Sequence, residues 1–234
     1  MTTAVPLPPS READPPGRPP VDVGHVARRL LEGRAAASHA AHLLPYLRPG
    51  MRLLDVGCNW GRWSMAAARK GYDVVGVDPS LGAVLTAQRV ARALGLRARF
   101  VCADARYLPF APASFAVAFS YSVLQHLSKS DARTALSAMR AVLAPRGTAL
   151  VQMPNAIGVR CLQHQARRRF REPTGFEVRY WTTRELQRCF EEIFGAASLE
   201  TDCFFGLGLQ ASDRALMRPA MQRLIDVSER LRAL

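Results

Sequence analysis

The stretch Leu53-Leu54-Asp55-Val56-Gly57-Cys58-Asn59-Trp60-Gly61-Arg62 decides the fold of this 234-residue chain. Residues 51–56 are apolar apart from one arginine and one aspartate, which predicts a buried strand. The glycines that follow predict a tight turn, and residues 63–70 favour a helix. A helix that begins directly after such a turn presents N–H groups and a dipole that can hold an anionic group.

Two further acidic residues follow predicted strands. Asp78 ends the stretch Val-Val-Gly-Val-Asp, and Asp104 ends Phe-Val-Cys-Ala-Asp. Asp78 comes about twenty residues after Gly57, the spacing at which a carboxylate accepts bonds from ribose hydroxyls in dinucleotide-binding folds. A glycine loop with two acids in successive strand–helix units predicts that a nucleoside lies across three strand ends.

Strands alternate with helices through the middle of the chain, which predicts an α/β fold with a doubly wound, mostly parallel sheet. The predicted strands cover residues 52–56, 73–77, 99–103, 115–120, 148–153 and 197–205. The predicted helices cover residues 63–70, 81–94, 128–143, 183–194 and 212–234, with one or two more between 23 and 47. Ligands of such sheets bind at the carboxyl ends of the strands. The glycine loop, Asp78 and Asp104 all fall at such ends.

Helix boundaries and one interruption complete this pattern. Ser128 followed by Asp131 resembles a capping box, and Pro145 with Gly147 is expected to end the same helix. Residues 156–181 are polar, rich in arginine and irregular. We therefore expect them to form an insertion rather than part of the alternating sheet.

These residues together resemble the class I S-adenosylmethionine-dependent methyltransferases, close to the small-molecule branch called type 11. The resemblance runs in order from residue 45 to residue 155. It implies a Rossmann-like fold, S-adenosylmethionine as cofactor, and a seventh, antiparallel strand near the end. No such strand is found in the sequence, so we expect it to be missing, through truncation or departure from the family. The matching motifs are Leu-Asp-Val-Gly-Cys (54–58), Asp78, Asp104, Phe-Ser-Tyr-Ser-Val-Leu-Gln-His-Leu (119–127) and Val-Leu-Ala-Pro-Arg-Gly-Thr (142–148).

The resemblance implies a role for each residue at the strand ends. Asp78 would bind the ribose, Leu81 would pack on the adenine, and Asp104 would accept a hydrogen bond from the adenine amino group. Asp55 would orient the glycine loop or bind the amine through water, and Ser120 would face the methionine end. The expected cofactor-binding residues are Asp55, Gly57, Cys58, Asn59, Gly61, Asp78, Pro79, Leu81, Asp104, Ala105 and Ser120.

Other interpretations of these residues stay open. Asp78 could only begin a turn with Pro79, and Asp104 could be a solvated loop acid. A nicotinamide dinucleotide is disfavoured, because Asn59 and Arg62 replace the second and third glycines of the G-x-G-x-x-G fingerprint. The methyltransferase family usually has glycine where Asn59 stands, but asparagine tolerates left-handed backbone angles better than other side chains.

The acceptor half of the site is expected after the fourth strand and in the insertion. His126 is the candidate general base for a hydroxyl acceptor, since the ordinary pKa of histidine lies near neutrality. His126 could instead be a histidine packed at the start of a helix. The insertion could instead be a solvated basic face. Arginines there could also bind an anionic acceptor. The expected acceptor-site residues are Asn155, His164, Arg179 and Tyr180.

Composition narrows the class of protein. The net charge of +13 invites a nucleic-acid interpretation. We discount it because Lys70 and Lys129 are the only lysines and the arginines are spread along the chain. The five cysteines are scattered without a Cys-x-x-Cys pair, so neither a zinc site nor a disulfide framework is indicated. No apolar run is long enough to span a bilayer, and a reducing cytoplasm is expected.

The sequence thus predicts methyl transfer from S-adenosylmethionine to an oxygen or nitrogen of a small molecule, without a metal. An RNA methyltransferase and a catalytically silent, cofactor-binding partner subunit remain as alternatives. Residues 1–20 are rich in proline and are expected to be disordered. Residues 21–234 are expected to form one methyltransferase domain, in which 156–181 is the acceptor-site insertion.

Overall fold

The computed structural model describes residues 50–200 and 218–232. The strands are β1 Arg52–Val56, β2 Asp73–Asp78, β3 Ala98–Cys102, β4 Phe115–Tyr121 and β5 Leu143–Gln152. The helices are α1 Arg62–Arg69, α2 Leu81–Ala93, α3 Lys129–Val142, α4 Val159–Arg167, α5 Thr183–Phe194 and α6 Pro219–Arg232, with a single 3-10 turn at Leu124–His126.

The five strands form one sheet in the order β3-β2-β1-β4-β5, and all the pairs are parallel. The chain winds outward from β1 to β3 and then crosses back to β4 on the other side of β1. This reversal is the topological switch point at which such sheets bind ligands. The predicted doubly wound, parallel α/β fold is confirmed.

Apolar residues of the strands face helices on both sides of the sheet. Leu54 and Val56 pack with α3 and α5 through residues such as Leu136 and Leu186. Leu53, Val74 and Val117 point the other way, toward α1. Successive strand residues point to opposite faces, so these runs are buried on both sides, as a doubly wound sheet requires.

The first turns of α3 and α5 are capped differently. The side chain of Thr182 accepts from the N–H of Glu185, and the Glu185 side chain accepts from the N–H of Thr182, which is a complete capping box. At α3 the Ser128 hydroxyl accepts from the N–H of Asp131 at 3.0 Å. The Asp131 carboxylate, however, accepts from Arg106. The capping box predicted for α3 is therefore half formed, because a guanidinium takes the acid.

β5 begins at Leu143, earlier than the predicted strand at 148. Its register shifts between the pairs Phe115–Leu143 and Val117–Thr148. Arg146 has a φ of 64°, and a Cβ on Gly147 would lie 2.9 Å from the carbonyl of Ala144. The residues expected to stop α3 do follow its end, and they also place an irregularity inside β5.

Three expectations about the ends of the chain have different outcomes. Residues 197–200 form no strand, so the described part of the predicted strand at 197–205 is wrong. The predicted last helix is seen as α6, with its described start at residue 219. The predictions for residues 1–20 and 23–47, and for the missing final strand, fall wholly or largely outside the described residues. Among residues 50–200 and 218–232, no helix is long and apolar enough to cross a membrane.

Candidate functional site

The glycine loop is bonded to the end of β2. The N–H groups of Gly57 and Cys58 both donate to the carbonyl of Val77, at 2.8 and 2.9 Å. Gly57 has a φ of 78°, and a Cβ there would lie 2.3 Å from a methyl group of Val123. Glycine is therefore required twice over, because the segment after β4 packs directly on the turn after β1.

Asp78 holds the loop from the neighbouring strand. One carboxylate oxygen accepts from the N–H of Asn59 at 2.9 Å, and the other accepts from the N–H of Ser80 at 2.9 Å. Asn59 has a φ of 49°, a left-handed backbone that asparagine tolerates better than other side chains. A carboxylate offers about four acceptor positions, so each oxygen of Asp78 keeps capacity for a ligand hydroxyl while it also caps the turn.

Asp55 lies beneath the loop and is almost fully buried. Its carboxylate accepts from the hydroxyl of Ser64 at 2.6 Å, and the N–H of Ser64 also stabilises the ionised form. Burial dominates and raises the pKa of Asp55 to about 6. The acid thus joins β1 to α1, and its predicted contact with a ligand amine stays a prediction.

Cys58 in the glycine loop and Ser120 near the end of β4 are both buried. Cys58 is 4% exposed, and burial raises the pKa of its thiol. Ser120 is fully buried, and its hydroxyl donates to the carbonyl of Val56 at 3.0 Å. The side chain of Ser120 therefore ties β4 to β1, and the main-chain contact with a ligand that the resemblance implies stays a prediction.

Leu81 is 59% exposed at the first position of α2, directly after the Asp78 turn. An apolar side chain beside a carboxylate with spare acceptor capacity suits a nucleoside, whose base is flat and whose sugar donates hydrogen bonds. Pro79 lies within this turn. Leu81 thus offers the surface expected for the adenine.

Asp104 is engaged by an arginine that the sequence analysis did not consider. The N–H and guanidinium of Arg106 donate to both oxygens of Asp104, at distances from 2.7 to 3.2 Å. The same guanidinium donates to Asp131 on α3 at 3.0 Å and lowers the pKa of that acid. Three N–H groups of Arg106 make these four contacts, because Nε lies within reach of both oxygens, so they use most of the acceptor positions of the Asp104 carboxylate. The predicted contact with an adenine amino group would therefore compete with Arg106. Ala105 lies between the two residues.

A second polar pair closes the edge between β4 and β5. Ser122 has a φ of 57°, and both its N–H and its hydroxyl donate to Oε1 of Gln152, at 3.0 and 2.8 Å. Sequence reasoning missed this pair and also missed Ser64 and Arg106. Arg106 alone carried a local signal, since it stands two residues from Asp104.

His126 ends the 3-10 turn after β4. Its Nδ1 lies 2.8 Å from the carbonyl oxygen of Phe176, and its Nε2 lies 3.2 Å from the amide nitrogen of Gln125. The imidazole and the Phe176 ring are parallel, with centroids 4.0 Å apart and an interplanar angle of 3°. The insertion therefore folds onto the histidine predicted as general base.

The two ends of the insertion meet each other. Asn155 forms a parallel bridge with Trp181, and the N–H of Ala156 donates to the carbonyl of Trp181 at 2.8 Å. Between them lies α4, in a stretch expected to be irregular, and none of its residues is buried. The prediction of an irregular segment missed this helix, because its few apolar residues stand among polar and basic ones and no buried face marks it.

The predicted acceptor residues have different surroundings. One guanidinium nitrogen of Arg179 donates to the carbonyls of His126, Gly175 and Glu177, so this arginine supports the main chain around the histidine. The Asn155 side chain accepts from the N–H of Ile157 at 3.2 Å. Tyr180 lies under the guanidinium of Arg168, and burial raises the pKa of its phenol. His164 is exposed on α4.

The chain was compared with known proteins by family, sequence and structure. The family described as "Methyltransferase domain" matches residues 53–147. The chain is 36% identical over 111 residues to the ubiquinone biosynthesis O-methyltransferase of Azorhizobium caulinodans (47% of this chain, 42% of that protein). It is 34% identical over 116 residues to the protein of the same name from Agrobacterium fabrum (48% and 43%). The chain thus matches less than half the length of these relatives.

Solved structures show the same fold. The magnesium protoporphyrin IX methyltransferase of Synechocystis with bound SAH superposes with a TM-score of 0.58 and 20% identity, over 81% of this chain and 85% of that one. A SAM-dependent methyltransferase of Methanosarcina mazei gives a TM-score of 0.57 and 23% identity, over 65% and 82%.

Proposed function

We propose that this chain is a class I S-adenosylmethionine-dependent methyltransferase that methylates an oxygen of a small-molecule acceptor, because residues 53–147 match the family described as "Methyltransferase domain". One observation carries the proposal. Asp78 fixes the glycine loop through Asn59 and keeps acceptor capacity on both oxygens, at the strand edge beside the switch point. S-adenosylmethionine supplies an activated methyl group on a sulfonium centre, so the protein has to orient the acceptor and exclude water.

The residues that hold the cofactor lie on three neighbouring strands. Asp78 accepts hydrogen bonds from the ribose hydroxyls, and the exposed Leu81 packs on the adenine. The glycine loop and the main chain at Ser120 border the amino-acid end, above the buried Asp55. Orientation of two reactants by such fixed groups supplies up to about 7–11 kcal/mol of a barrier.

The acceptor side favours oxygen over nitrogen. A hydroxyl must lose its proton as it is methylated, and a positioned base contributes about 10²–10⁴-fold to such a step. His126 lies after β4, under the insertion that folds onto it. The names of the curated relatives, which are O-methyltransferases, support the same assignment.

Two measurements test this function. Calorimetric titration with S-adenosylhomocysteine should show binding, and labelled methyl groups should pass from S-adenosylmethionine to some member of a panel of phenols, alcohols and hydroxyacids. His126→Gln should lower kcat about 100-fold or more while leaving cofactor affinity unchanged. Gln163→Ala is the control, because it removes an exposed polar side chain of α4 that belongs to no expected site.

The alternatives give different results. Cofactor binding without transfer to any acceptor, together with a stable complex with another methyltransferase, would support a silent partner subunit instead. Transfer to RNA with strongly salt-dependent binding would support an RNA methyltransferase. A folded protein that binds no cofactor would overturn the proposal.

A further inference from the structure

We propose that Phe176 and Arg179 are positioning residues that hold His126 in one tautomer, with the proton on Nδ1 and Nε2 as the proton acceptor. The catalytic meaning of this inference rests on the proposed function, but the tautomer itself does not. The inference assigns a task to residues 174–179 of the insertion, which border no strand end.

The tautomer follows from the partner of Nδ1. The carbonyl oxygen of Phe176 has no hydrogen to donate, and it lies 2.8 Å from Nδ1 of His126. A hydrogen bond between them therefore needs the proton on Nδ1. In the neutral ring, the lone pair is then left on Nε2. An imidazole held in this way by a carbonyl is the arrangement in which one ring nitrogen orients the other.

The Phe176 side chain fixes the plane of the imidazole as its carbonyl fixes the proton. The two rings are parallel and 4.0 Å apart at their centroids. The Phe176 ring is also 71% exposed, so burial in the core does not account for its position. Contact with both the face and the edge of His126 removes the freedom of the imidazole to rotate.

Arg179 fastens the segment that carries Phe176. Its main-chain N–H donates to the carbonyl of Gln125 at 2.7 Å, and Nη1 of its guanidinium donates to the carbonyl of His126 at 2.8 Å. Nη1 also donates to the carbonyls of Gly175 and Glu177, on either side of Phe176. One arginine thus joins the main chain around Phe176 to the main chain of the histidine.

Gln125 occupies the place where the acceptor hydroxyl has to bind. Its amide nitrogen lies 3.2 Å from Nε2 of His126 and donates to the lone pair there. Nε2 has a single lone pair, so the acceptor hydroxyl must displace this amide. Once Nε2 is protonated it becomes a donor, and the Gln125 amide oxygen can then accept from it.

The tautomer can be measured without turnover. Protein with ¹⁵N-labelled histidine is studied by long-range ¹H–¹⁵N correlation above the pH at which histidines titrate, and the His126 signals are those lost in His126→Gln. We expect a protonated Nδ1 and an unprotonated Nε2 at His126. His164, exposed on α4, should show the mixture typical of a solvated imidazole. A proton on Nε2 of His126 would overturn the inference, whether or not methyl transfer is found.

Variants of Arg179 test the positioning role. Arg179→Ala should return His126 to the mixed tautomer and lower kcat about 10-fold or more, with little change in cofactor affinity. Arg179→Lys keeps a donor for the carbonyls and should restore part of both signals if the alanine variant is too loosely folded. Arg167→Ala, at the exposed end of α4, should change neither. An unchanged His126 tautomer in a folded Arg179→Ala variant would contradict the role of Arg179.

Discussion

The main-chain N–H of Asn59 donates to Oδ2 of Asp78 at 2.9 Å, and this contact joins the glycine loop after β1 to the end of β2. The same carboxylate accepts from Ser80, so one side chain shapes both turns at the centre of the strand edge. The loop is therefore arranged before a ligand arrives. A ligand that bonds to Asp78 uses acceptor positions that the protein has left over.

Asp78→Ala should weaken the binding of S-adenosylhomocysteine about 100-fold or more. Hydrogen bonds to a charged group contribute about 1.5–3 kcal/mol each, and the substitution removes two ribose contacts together with the support of the loop. Calorimetry measures the loss. Asp73→Ala is the matched control, because Asp73 begins the same strand and pairs with Arg52 and Arg99 at the opposite edge of the sheet. Equal losses in both variants would point to a general effect on folding.

Asp55→Asn should change the pH dependence of stability. Burial raises the pKa of Asp55 from 3.8 to about 6. The folded state therefore binds this proton more tightly than the unfolded state does, and the free energy of unfolding falls as pH rises from about 4 to about 6. Two pKa units correspond to about 3 kcal/mol. Asparagine can still accept a hydrogen bond from Ser64 but has no charge. The denaturation midpoint of the variant should therefore change less with pH over this window. An equally steep curve would show that other groups cause the slope.

Gly57→Ala should destabilise the protein through two separable terms. The new Cβ would lie 2.3 Å from Val123, and the positive φ disfavours any side chain. Overpacking costs about 1–3 kcal/mol and left-handed backbone about 1–2 kcal/mol. Gly95→Ala measures the backbone term alone, because Gly95 also has positive φ but has no atom within 4 Å of the added Cβ. In urea denaturation, the double variant Gly57→Ala with Val123→Ala should recover part of the steric loss, because it removes both Val123 methyl groups but leaves a Cβ 2.8 Å from the new one. Additive losses would contradict the clash.

Arg106→Gln should tighten the binding of S-adenosylhomocysteine by up to about 10-fold, since it frees oxygens of Asp104 that one hydrogen bond to a charged group can use. An analogue with inosine in place of adenosine lacks the amino group and should gain nothing. The comparison of the two ligands isolates the adenine contact. Arg99→Gln, which alters an exposed ion pair at the other edge of β3, serves as control. Equal changes for both ligands would mean that Asp104 does not contact the amino group.

The strand ends that carry the candidate cofactor-binding residues can be predicted from sequence because their signals are local. The strand–turn–helix pattern located β1 and α1 within one residue, and asparagine suits the positive φ that the structure shows at residue 59. Helix α5 was predicted with its observed bounds, since apolar periodicity and the Thr182–Glu185 cap agree.

What sequence reasoning missed depends on contacts between distant residues. The contact between His126 and Phe176 spans 50 residues, and no local pattern connects them. Helix α4 was missed because it is short, lies in an arginine-rich stretch and has no buried residue. The guanidinium of Arg179 donates to carbonyls that become its neighbours only in the folded chain, so no local pattern indicates these contacts.

The bridge between Asn155 and Trp181 closes the insertion at its base. Because the segment leaves and rejoins the body of the protein at one place, residues between these two points can be lengthened, shortened or replaced without stretching β5 or α5. The insertion is in this sense an exchangeable cassette. Under the proposed function, changes in the insertion outside the residues that hold His126 would alter the acceptor side and leave the strand ends beside Asp78 in place.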